Sequence, residues 1–129
     1  MKKLLALFLI FPIFISAEDI EYPIELTCES GAWIHQISIT GKNEGWIQQI
    51  SGPKKNIHVP SLDYGEKHFF KNNIIITDSM IEIRIRFGLA GWIDHKINRL
   101  SGGYQVRDIN NGIRGQCYKG FKEYKEKKL

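Results

Sequence analysis

The chain has little that would make it a helical protein, a membrane protein or a familiar enzyme. Beyond position 17 it holds only two alanines, Ala32 and Ala90, and five leucines, against eighteen isoleucines. Ala and Leu favour helices and β-branched Ile favours strands, so the balance points to sheet. No stretch keeps a 3.6-residue apolar period for three turns. Two cysteines, 89 positions apart, exclude a Cys-x-x-Cys redox pair and a cysteine-rich metal site. The four histidines, His35, His58, His68 and His95, show neither His-x3-His nor His-Glu-x-x-His spacing, so no metal is expected. Gly41-Lys42-Asn43 lacks the spacing of a phosphate-cradling loop. Ser101 lacks the preceding glycine and the β-α context of a nucleophile elbow, which leaves it ordinary turn chemistry. No motif calls for a cofactor, and the sequence reads as non-enzymatic.

One apolar run is present, at the N-terminus. Lys2 and Lys3 precede Leu4 to Ile15, and Ser16-Ala17 follow. This is the layout of a secretory signal peptide, with cleavage expected after Ala17. The run is about a dozen residues, interrupted by Pro12, and falls short of the roughly 20 that a spanning helix needs. An exported, periplasmic or secreted protein is therefore expected, with no transmembrane segment in the mature chain. Removing the leader changes the electrostatics. The formal charge of the whole chain is +4. The leader takes two lysines, and the tail 119–129 holds five lysines and two glutamates, so residues 18–118 are close to neutral. A nucleic-acid partner, which wants a basic face on the domain itself, is not expected.

Residues 18–118 read as one all-β domain, a small antiparallel sandwich or barrel closed by one disulfide. Met80 to Phe87 alternates strictly, with Ile81, Ile83, Ile85 and Phe87 on one face and Glu82, Arg84 and Arg86 on the other. Ile24, Leu26 and Cys28 share a face, as do Trp33, Ile37 and Ile39, which places His35 on an apolar face as well. Asn73 to Thr77 is apolar without alternation and reads as a strand buried on both faces. Turn signals recur at short spacing, including Ser30-Gly31, Gly41-Lys42-Asn43, Ser51-Gly52-Pro53, Ser101-Gly102-Gly103 and Asn110-Asn111-Gly112. About eight strands are expected, with a short helical element around Pro60 to Glu66 and a helical turn bearing Phe121 and Tyr124 as weaker features. Cys28 lies in the first expected strand and Cys117 in the last. An oxidising compartment would join them across the whole domain.

Three tryptophans stand in similar settings, as Trp33-Ile34, Trp46-Ile47 and Trp92-Ile93. Beside glycines they read as core or rim anchors. An exposed Trp46 or Trp92 would instead offer a platform on which a glycan could stack. The most specific stretch is Ile97-Asn98-Arg99-Leu100-Ser101-Gly102-Gly103-Tyr104-Gln105-Val106, followed by Gly115-Gln116-Cys117. It describes a hairpin turning at Leu100 to Gly103 and a return into the cysteine strand. The pattern resembles small secreted bacterial proteins of uncharacterised function, which share such an Ile-Asn-Arg-x-Ser-Gly hairpin and a late Gly-x-Cys. That resemblance implies a secreted, single-disulfide β domain and transfers no catalytic residue. A looser similarity is to periplasmic lysozyme inhibitors of the small-barrel type. They pair an early with a late cysteine and insert a Ser-Gly loop near a Tyr into the enzyme's cleft. Ser101, Gly102 and Tyr104 are the matching positions, although the Ser-to-Tyr spacing is short and no Trp-x-Lys-Gly segment follows. The expectation is a non-enzymatic binding or envelope-interaction module, with an envelope protein or glycan as partner. The alternative is a periplasmic inhibitor of a lysozyme-like hydrolase. Trp46, Trp92, Ser101, Gly102 and Tyr104 are the candidate binding residues.

Overall fold

A computed structural model describes residues 20–53, 59, 65–87, 91–107 and 112–121. The expected signal peptide, the helical element at Pro60 to Glu66, the Asn110-Asn111-Gly112 turn and most of the basic tail lie wholly or largely outside the described residues.

The protein is all-β, a nearly closed antiparallel barrel. Among the described residues nine strands follow in order: β1 (Ile24–Ser30), β2 (Trp33–Gly41), β3 (Glu44–Ser51), β4 (Lys67–Lys71), β5 (Ile74–Ile76), β6 (Met80–Phe87), β7 (Gly91–Asn98), β8 (Gly103–Arg107) and β9 (Gly112–Lys119). Their order in the sheet is β4-β3-β2-β1-β9-β8-β7-β6-β5. Two meanders of consecutive hairpins therefore meet at one long-range seam, β1 against β9. At the other side β4 and β5 run in the same direction on either side of a bend. Asn72 takes a left-handed conformation there, with φ 68°, one that Asn tolerates better than most residues. Its N–H donates back to Asn43 O across the β3 side, while Asn73 O accepts from Arg84 N on the β6 side. The bent segment thus passes its hydrogen bonding from one meander to the other, which is why the barrel nearly closes.

Period-two alternation fills the interior. Ile37, Ile39, Ile47, Ile83, Ile85 and Ile93 are fully buried, joined by Leu26, Ile81, Ile97 and Val106. Each such side chain contributes roughly 1.5–3 kcal/mol on burial. Polar residues also point inward. His35 and Gln49 face each other across β2 and β3, and the rings of His95 and Tyr104 stack 6.2 Å apart. Gln49 donates through Nε2 to Pro53 O at 2.6 Å. The expected β6 stands, with Ile81, Ile83 and Ile85 inside and Arg84 outside, paired with Asp94 at 2.7 Å. One expectation is corrected. The Asn73–Thr77 run is not buried on both faces: Ile74 is inside, but Ile75 is 61% exposed, because a barrel wall has only one inner face.

The seam carries the disulfide. Cys28 and Cys117 are direct partners in the β1–β9 ladder and are bonded, with S–S 2.02 Å. Two positions before Cys117, Gly115 lets β9 lie against β1. A Cβ there would run into the Glu29 carbonyl oxygen and come within 2.9 Å of Ser30 Cβ. Beyond β9, Gly120 N donates to Glu25 O and Gly120 O accepts from Thr27 Oγ1, which carries the chain across the outside of β1.

Candidate functional site

The starts of β1 and β6, the end of β9 and the β7–β8 hairpin lie at one end of the barrel. A half-open cavity of about 560 Å³ occupies this mouth. Its walls include Pro23, Ile24, Leu26, Ile81 and Ile97, and Asn98, Arg99, Gly102 and Lys119 stand among its polar lining. The bridge at Cys117 forms part of the same lining.

The hairpin tip beside this cavity is fixed by its own side chains. Asn98 Oδ1 accepts from the N–H groups of Leu100 (2.9 Å) and Ser101 (3.0 Å), and Gly102 N donates to Asn98 O. Ser101 Oγ accepts from Gly103 N. These are the local bonds that Asn and Ser offer a turn. The tip is also tied to both neighbours. On one side Gln116 Nε2 donates to Ser101 O at 2.6 Å, and Cys117 N donates to Gly102 O at 2.7 Å. On the other, Arg99 N donates to Ser79 O and Arg99 Nη1 to Thr77 O. Gly102 has φ 78°, and any Cβ there would meet the Gln116 side-chain amide and Cys117 O, so only glycine closes this turn against β9. At the apex Leu100 is 85% exposed.

The candidate residues separate. Ser101 and Gly102 lie at the mouth. Tyr104 points into the barrel at 2% exposure, and burial holds its phenol well above the usual pKa range. A partner outside the barrel thus meets Leu100 and Ser101 rather than Tyr104. Trp92 is partly exposed at the start of β7, the opposite end of the barrel, with the Arg86 guanidinium 5.7 Å from its ring centre. Trp46 is half-buried on the outer face of β3, five positions from β7 in the sheet order, where Phe121 and Lys67 lie against its ring. The tryptophans do not form one platform.

Asn98, Arg99, Leu100 and Gln116 belong to the specific stretch of the sequence but were not among the candidate binding residues, although a signal existed. An apolar residue at the apex of a turn, preceded two positions earlier by Asn, breaks the polar habit of turns. Among the described residues, the groups with shifted ionisation stand apart from one another. His68 on β4 is lowered by burial, Arg84 is raised by its hydrogen bond to Asp94 on the outer wall, and neither they nor Tyr104 line the mouth. Among the described residues no three His, Cys, Asp or Glu side chains gather to hold a metal ion, and no helix is long and apolar enough to cross a membrane. Comparison with family models, with curated proteins and with solved structures gives no match.

Proposed function

We propose that this is an exported, non-enzymatic binding module that meets a protein of the cell envelope with the mouth of its barrel. Leu100 is the anchor, and the neighbouring cavity receives an apolar side chain of the partner. The observation that carries this reading is the hydrogen-bonded tip that holds Leu100 85% exposed. A large apolar side chain fixed in water gains free energy when covered, and a tip already ordered loses little entropy on binding. A Cys28–Cys117 bridge fits an oxidising, extracytoplasmic compartment, as does the leader pattern at Met1 to Ala17. The test is photo-crosslinking in the envelope from position 100 and, separately, from position 92. Protein adducts should form from position 100 and disappear with Arg99→Ala/Gly102→Ala in the same chain. Equal adducts from both positions, or retention by peptidoglycan alone, would refute the reading.

A second reading has one observation behind it. A rigid, protruding hairpin is the shape that enters a hydrolase cleft, so inhibition of a lysozyme-like enzyme is the alternative. Titration with the exported protein should then abolish lysozyme activity near stoichiometry, and Leu100→Asp should restore it. Full activity at excess inhibitor removes this alternative.

A further inference from the structure

A second surface, away from the mouth, has a chemistry of its own. Phe69 on the outer face of β4 is 71% exposed, and its register partner on β3 is Trp46. The Trp46 ring lies 5.6 Å from that of Phe121, and Lys67 Nζ sits 4.3 Å from its centre. Because side chains alternate along a strand, Lys67, Phe69 and Lys71 all face outward together, and both lysines are exposed. A depression of about 360 Å³ adjoins Phe69 and Lys71. Glu44 pairs with Lys71 in register and offsets part of this charge. Lys67 and Lys71 flank Phe69 on both sides along the strand.

Aromatic rings of this kind settle at the boundary between headgroups and acyl chains, and lysine stems reach from there to phosphates. Neither feature alone singles out a ligand. Together they match a surface that is apolar at shallow depth and negatively charged above it. We propose that this face rests on a bilayer carrying anionic phospholipids, with Phe69 inserted at headgroup depth and Lys67 and Lys71 against phosphate groups. The inference is independent of the mouth, so the binding module would be held at a membrane surface with its hairpin tip free.

The experiment uses the exported protein and sedimentation with vesicles of phosphatidylcholine, alone or with about a third phosphatidylglycerol. Binding should be at least about tenfold stronger to the anionic vesicles and should fall as salt shortens the screening length. Phe69→Ser, at an exposed site, should lower partitioning about tenfold, the order expected for withdrawing one aromatic ring from an apolar surface. Lys67→Glu/Lys71→Glu should remove most of the preference for anionic vesicles, with circular dichroism confirming the barrel. Four results overturn the proposal: no binding, equal binding to both vesicles, binding unchanged by Phe69→Ser, or binding to polyglutamate as tight as to vesicles. The third would assign the contact to the lysine-rich tail, and the fourth to an acidic protein.

Discussion

Replacing Cys28 and Cys117 together by Ala should produce the largest stability loss of any change that leaves the interior polar groups intact. The bridge closes a loop with a sequence separation of 89 residues. Chain-entropy arguments assign such a loop about 4–5 kcal/mol, an upper value because residual order in the unfolded chain subtracts from it. Small domains have about 5–15 kcal/mol in all, so the variant should be marginal. The β1–β9 ladder that remains has four register pairs, Leu26–Lys119, Thr27–Tyr118, Cys28–Cys117 and Glu29–Gln116, supplemented by the Gly120 bonds to Glu25 and Thr27. Urea unfolding at neutral pH, followed by tryptophan emission, measures the effect. With a slope of about 1–3 kcal/mol/M, the midpoint should fall by roughly 1.3–5 M, and the melting temperature by about 15–30 °C. The slope itself should rise, because the unlinked chain expands further when unfolded. A midpoint change worth less than about 1 kcal/mol, with an unchanged slope, would refute the claim that the bridge acts by restricting the unfolded chain.

Gly115→Ala should destabilise by about 1–3 kcal/mol or more, since the new methyl meets the Glu29 carbonyl and Ser30 across the seam; a melting temperature within error of wild type would show that the seam can open to admit it. Asn98→Ala should cost about 1 kcal/mol and speed hydrogen exchange at the Leu100 and Ser101 amides, with unchanged exchange counting against the tip as an ordered element. Burial lowers the pKa of His68 below the usual 6.5, so below that pH the unfolded chain takes up a proton that the folded chain resists. The part of stability that depends on His68 should therefore be constant above pH 6.5 and decline as pH falls through the folded pKa. His68→Gln should flatten that decline, and identical pH profiles for the two proteins would exclude His68 as its source.

Much of the wall was legible because a barrel wall has one inner face and period-two alternation reports it directly. The run Met80 to Phe87 gave β6, and the placement of His35 on an apolar face holds, at 0% exposure. The same alternation splits the neighbours Asp94 and His95: Asp94 pairs outward with Arg84 while His95 stacks inside on Tyr104. The choice between sandwich and barrel was not legible, since it depends on β1 meeting β9, a pairing that no local pattern encodes. The exposure of Ile75 was missed for a related reason: an unbroken Ile run looks alike whether both faces are covered or the strand is merely short. At the mouth, the turn at Leu100 to Gly103 was readable from its Ser-Gly-Gly. The cross-strand bonds from Arg99 and Gln116 that fix it were not, because their partners lie 22 and 15 residues away. Adjacent Phe69 and Phe70 carried an unused hint, for in a strand one of two neighbours must face out.

The order of strands has a consequence for how the chain comes to fold. Every pairing except β1–β9 joins segments close in sequence, so hairpins can form as soon as their residues are available. The seam cannot form until positions 112–119 exist, more than 80 residues after β1. Until then the first meander has an unpaired edge at β1, and Cys28 has no mate. Closure is thus a long-range event that comes after the local ones, and a chain emerging from its N-terminus stays open until residues 112–119 have been added.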